Sequence, residues 1–160
     1  MRDLCTTYYV SSRTGNDAND GKSREHAFAT LSAVNCLTLR PGDSVLLEAG
    51  SVFAGQYLRI TNSGTKDAPI VIGSYGEGDL PRIDTEGNGI WYQDYGQPLD
   101  SPTHVYRDYV SSSVLLYDAE YVTVQDLEIT NRGTEIPGEA YSAPHKMNRT
   151  GVAVVAKDRG

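Results

Sequence analysis

The sequence predicts an all-β chain folded as a parallel β-helix, a solenoid of short strands, with a short α-helix capping its N-terminal end. Three observations predict it. Short apolar runs recur about every dozen residues from Val45 onward, with turn formers between them. Sixteen glycines call for many tight turns, which suits strands better than helices. At Gln125-Asp126 the apolar alternation slips by one residue, which marks a corner rather than a hairpin.

Each element follows from local pattern. Tyr8-Tyr9-Val10 reads as a strand. The run from Gly15 to Gly21 is rich in Asn and Asp and reads as a turn; the EF-hand spacing fails because Ala18 stands where a ligand is needed. Residues 24–36 are expected to be helical, because Ala27, Phe28, Leu31 and Val34 recur at helical spacing behind Ser23 as N-cap. Pro41-Gly42-Asp43 then turns the chain. Strands are expected at Val45-Leu46-Leu47, Leu58-Arg59-Ile60, Ile70-Val71-Ile72, Arg82-Ile83, Val114-Leu115-Leu116, Val122-Thr123-Val124, Leu127-Glu128-Ile129 and Val152–Val155. Val122 and Val124 share one face, as do Leu127 and Ile129. A corner at Gln125-Asp126 keeps all four inward, and that corner is the unit of a coil whose strands pair in parallel one rung away. An amphipathic helix before the first coil covers the open end of the core.

The organisation expected is one domain. Residues 1–44 carry the strand, turn and capping helix, and residues 45–160 the first coils, interrupted by insertions at about 91–110 and 132–150. Val152–Val155 reads as the start of another coil, so the chain is expected to be truncated and to need its own C-terminal continuation as a partner.

Bulk properties narrow the function. Fourteen basic against twenty-one acidic residues give a formal charge of −7, which argues against nucleic acid and against an anionic membrane surface. No apolar run approaches the ~20 residues of a membrane span. Cys5 and Cys36 read as two buried thiols, with a disulfide as the alternative that would fit secretion. No zinc spacing, phosphate loop or Gly-x-Ser-x-Gly elbow is present.

The two insertions concentrate the residue types that contact sugars. In the first, Trp91, Tyr92, Tyr95, Tyr106 and Tyr109 can stack on sugar rings, with His104, Arg107 and Asp108 as polar contacts. The second offers Tyr141, His145, Lys146 and Arg149. A lyase needs a base and a cation, for which His145, Lys146 and Arg149 are the right types. A glycosidase needs two carboxylates, for which Asp108, Glu135 and Glu139 are the right types. Neither set has diagnostic spacing. Asn131, at a corner, reads as a structural amide that hydrogen-bonds the turn.

Tyr8-Tyr9-Val10-Ser11, Gly15-Asn16-Asp17, Asn19-Asp20-Gly21, Phe28-Ala29-Thr30-Leu31 and Pro41-Gly42-Asp43-Ser44-Val45-Leu46-Leu47 occur in that order. Ser63-Gly64-Thr65, Ala68-Pro69-Ile70-Val71-Ile72, Ser74-Tyr75-Gly76-Glu77-Gly78 and the run from Tyr121 to Asn131 follow. Together they resemble the opening of bacterial right-handed parallel β-helix proteins of the pectate-lyase-like superfamily. That resemblance implies the N-terminal portion of a secreted polysaccharide-degrading enzyme, a glycoside hydrolase or a polysaccharide lyase, acting on a polysaccharide or oligosaccharide. The alternative is a non-catalytic carbohydrate-binding or adhesin-like module. Catalytic groups of that superfamily sit on middle coils, so no catalytic residue is carried over. No cofactor is expected, except Ca²⁺ if the chemistry is that of a lyase.

Overall fold

A computed structural model describes residues 5–94, 101–102, 107–133 and 148–158. Eleven strands and one short helix occur in these residues. The strands are β1 (Thr7–Val10), β2 (Ser44–Glu48), β3 (Val52–Ala54), β4 (Leu58–Ile60), β5 (Ile70–Tyr75), β6 (Arg82–Asp84), β7 (Ile90–Asp94), β8 (Arg107–Tyr117), β9 (Val122–Val124), β10 (Glu128–Thr130) and β11 (Asn148–Val155). They form three parallel sheets, ordered β1-β2-β5-β9, β3-β6-β10 and β4-β8-β11. Strand β7 joins the third sheet antiparallel to β8.

The core follows from register. In the first sheet Val45 pairs with Ile72 and Ile72 with Val124. In the second, Phe53 and Ile129 flank Ile83. In the third, Leu58 and Val152 flank Val114. Like residues therefore stack along each sheet, and the inner faces of all three meet in one cluster containing Val45, Ile72, Phe53, Ile83, Leu58 and Val114. Fully burying each such side chain contributes about 1.5–3 kcal/mol. The period of two puts these residues inward and their neighbours outward, as the alternating burial of β2 shows.

The slip at Gln125-Asp126 resolves as a corner. Val122, Val124, Leu127 and Ile129 all pack against the same core. Strands β9 and β10 pair in parallel with β5 and β6 rather than with each other. Asp126 turns the chain with φ 55°, a conformation that Asp tolerates better than most residues.

Three expectations are corrected. The architecture is an all-β arrangement of three separate parallel sheets, in place of the right-handed parallel β-helix with a capping helix that the sequence suggested. Its outline is uneven, because β8 runs for 11 residues and takes an antiparallel partner where most strands have three to six. The helix is a five-residue turn, Leu31–Asn35, capped by Thr30 rather than Ser23. Phe28 is instead drawn into a parallel bridge with Val10, donating to Tyr9 O and accepting from Ser11 N. Those tertiary backbone bonds override the helical periodicity upstream of Thr30. Asp17 explains the polar turn: its carboxylate accepts from Ala29 N, Thr30 N and the Thr30 hydroxyl, which fixes the start of the helix. Finally, Cys5 and Cys36 are both exposed rather than buried.

The stretch around 91–110, expected to be irregular, begins and ends in the β7–β8 pair. Gly89 leads into it with φ +63°, and a Cβ there would lie 2.6 Å from Ser112 O. Only glycine allows the backbone to approach β8 this closely. No helix among the described residues is long and apolar enough to cross a membrane.

Candidate functional site

From Val110 to Leu116 strand β8 is buried on both sides. Val114 and Leu116 enter the main core, whereas Val110 and Leu115 belong to a second cluster with Trp91. Tyr117, Ala153 and Val155 pack against that second cluster. Trp91 reaches it because β7 pairs antiparallel with β8, placing Trp91 opposite Val110. The indole is 9% exposed. Its Nε1–H donates to Ser112 Oγ at 2.8 Å, and Ser112 Oγ lies 2.7 Å from Thr150 Oγ1 on β11. A hydrogen bond at one end and apolar contacts beneath hold the ring in one orientation.

Trp91 lines two cavities. The larger, about 530 Å³, is lined by Trp91, Tyr92, Gln93, Asp94, Tyr117, Thr150 and residues 152–157 of the β11 edge. Its size falls in the range of small-ligand clefts. The smaller, about 210 Å³, is lined by Arg59, Thr61, Trp91, Tyr92, Leu115 and Tyr117. Aromatic walls with a few polar groups suit a ligand that has both apolar faces and hydroxyls. At the far end of β7, Asp94 pairs with Arg107, Nε to Oδ1, at 3.1 Å. Tyr92 and Tyr109 meet edge to face across the same strand pair, with centroids 5.2 Å apart.

The structure brings some of the expected site residues together and separates others. Trp91 and Tyr92 line the cleft. Arg107 is tied to Asp94 at the end of the strand pair. Arg149 is elsewhere: its Nη1 donates to Arg132 O at 2.5 Å, and its guanidinium lies against Gly87 and Gly133. Tyr95, His104, Tyr106, Tyr141, His145 and Lys146, with Glu135 and Glu139, lie outside the described residues. Thr150, Tyr117, Gln93, Lys157, Arg59 and Thr61 were not singled out from sequence. Strand alternation offered one signal, since Tyr117 shares the outward face of Leu115. No local signal points to Thr150.

Asn131 is structural. It accepts from Gly87 N at 2.9 Å and donates to Ser111 O and Oγ and to Thr150 O. Beside it, buried Asp84 accepts from Arg132 Nε at 2.7 Å and from Arg132 N at 3.3 Å. Burial pushes the Asp84 carboxyl up, but the hydrogen bonds and charge of Arg132 outweigh it and hold the pKa below the ordinary aspartate value. A carboxylate with a lowered folded pKa stabilises the fold above its unfolded pKa and loses that contribution as pH falls through the folded value. Acid unfolding below about pH 4 is therefore expected to depend on Asp84. Asp84→Asn should cost about 1 kcal/mol at neutral pH, given that Arg132 is largely exposed, and progressively less in acid. Urea titrations at pH 7 and pH 3 measure both.

Among the described residues no group of His, Cys, Asp and Glu is placed to hold a metal ion.

No family model matches the chain. It is 39% identical to a lacto-N-biosidase of Bifidobacterium longum subsp. longum, over 96% of this chain and 11% of that protein. It also matches a crystal structure of the GH136 lacto-N-biosidase from Eubacterium ramulus, with 62% identity and a TM-score of 0.89, over 97% of this chain and 25% of that one. The native form of the same enzyme aligns with a TM-score of 0.84. Its homologues are lacto-N-biosidases.

These relatives are glycoside hydrolases, and the chain spans about a tenth to a quarter of their length. The pectate-lyase-like assignment made from the sequence is corrected by this finding. The motifs behind that resemblance are turns and alternating apolar pairs, which many parallel-strand proteins need for backbone and packing reasons. They carry no information about the chemistry at the surface.

Proposed function

We propose that this chain is part of a glycoside hydrolase acting on oligosaccharides, and that it contributes a sugar-binding cleft beside Trp91. The observation that carries the reading is the cleft of about 530 Å³ walled by Trp91, Tyr92 and Tyr117. The similarity to lacto-N-biosidases supports it and supplies the ligand to try, lacto-N-biose. Pyranose rings present apolar C–H faces to aromatic walls and hydroxyls to groups such as Gln93, Asp94 and Thr150.

The role proposed for these residues is binding rather than bond cleavage. Among the described residues that line the cleft, Asp94 is the one carboxylate, and it is paired with Arg107. Glycoside hydrolysis uses two carboxyl groups, about 5–5.5 Å apart for retention or about 6.5–9.5 Å for inversion.

The chain has a single tryptophan, so its intrinsic indole fluorescence reports on Trp91 alone. Titration with lacto-N-biose is expected to shift or quench this emission along a saturable curve. Unchanged emission together with no heat by calorimetry would remove the sugar-binding reading.

A further inference from the structure

The hydrogen-bond accounting around Trp91 assigns a direction to one proton. The indole Nε1–H is only ever a donor, so Ser112 Oγ accepts from it. Ser112 is 1% exposed, and its hydroxyl carries one hydrogen. Among the described residues the other partner of that hydroxyl is Thr150 Oγ1, 2.7 Å away. If Thr150 donated to Ser112, the Ser112 hydrogen would be buried without an acceptor, which costs about 1–3 kcal/mol. The favourable arrangement runs from Trp91 to Ser112 to Thr150. Thr150 Oγ1 then accepts, and its own hydrogen points away from Ser112. Thr150 is half-buried and lines the larger cleft.

We infer that Thr150 is a specificity-determining residue of this cleft, presenting a hydroxyl donor to an oxygen acceptor of a bound sugar next to the Trp91 indole. The inference rests on the sugar-binding reading above. A hydroxyl whose oxygen already accepts from Ser112 has fewer orientations left to lose on binding. It favours ligands with an acceptor oxygen at that point, because an apolar group there leaves the hydroxyl unsatisfied. The relay also explains the Ser112–Thr150 pairing across β8 and β11, where two outward-facing hydroxyls meet in register beneath a tryptophan.

The test compares the wild-type chain with Thr150→Val and Thr150→Ser, each titrated with lacto-N-biose by calorimetry. Thr150→Val keeps the shape and removes the hydroxyl; Thr150→Ser keeps the hydroxyl. The expected result is affinity about five- to tenfold weaker for Thr150→Val, the size of one neutral hydrogen bond, and near-wild-type affinity for Thr150→Ser. A purely structural role for Thr150 predicts instead a lowered unfolding midpoint with unchanged affinity. Wild-type binding that Thr150→Val leaves undiminished overturns this inference alone. Absence of binding in the wild type overturns the sugar cleft and this inference with it.

Discussion

Replacing Phe53 by alanine is expected to lower the unfolding free energy by about 3–5 kcal/mol. Phe53 is fully buried and sits in β3, the first strand of the second sheet, with Ile83 beside it in register. It is one of two phenylalanines in the chain, and it heads the column Phe53, Ile83, Ile129 that faces the other two sheets. Truncation removes a large apolar surface and leaves a void, because three sheets converging on one core cannot all close on it at once. Domains are typically stable by about 5–15 kcal/mol, so the loss takes a large share of the total. Urea unfolding followed by circular dichroism reads it as a lower midpoint with an unchanged slope. Phe53→Leu should retain most of the stability, since it keeps most of the apolar volume.

Trp91→Ala should have two effects at once. The indole caps Val110 and Leu115, so its loss exposes the second cluster and costs about 3 kcal/mol or more. It also removes the wall shared by both cavities and the donor that fixes Ser112, so binding of lacto-N-biose should fall below detection. The main core lies on the opposite face of β8, which is why secondary structure should survive. Trp91→Phe separates the contributions: it keeps an aromatic wall but not the Nε1–H, so it should weaken binding without abolishing it. Calorimetry is the readout, because these variants lose the fluorescent reporter. Tight binding by Trp91→Ala would place the sugar elsewhere.

Much of the inner face was legible because burial imposes a period on the chain. The pairs Val122/Val124 and Leu127/Ile129 disclosed both the corner between them and the shared core. The helix was overread for a related reason. Ala27, Phe28, Leu31 and Val34 are all buried, as the periodicity required, yet burial does not demand a helix. Phe28 reaches the core from backbone held by Tyr9 and Ser11, and the Ala27 carbonyl accepts from Asn16 N. The site was legible only through its aromatic residues. Trp91 and Tyr92 stand out by type, whereas Thr150 and Ser112 are ordinary hydroxyls, 38 positions apart, made neighbours by the β8–β11 register. Arg149 shows the converse. It has a sugar-contacting chemistry, but adjacent strand residues point to opposite sides, so it reaches the Arg132 corner while Thr150 reaches the cleft.

The sequence by itself determined that the chain is all-β, where most strands lie, which of their residues face inward, and that its net charge is negative. These are properties of single segments and of composition, where alternation, turn residues and net charge act locally. Only the tertiary structure decided that β7 turns back along β8, that Trp91 covers the outer face of the third sheet, and that Asp84 is held ionised by Arg132. These contacts join residues 13 to 48 positions apart, which strand register brings together, and register depends on how whole strands pair rather than on the residues at either end.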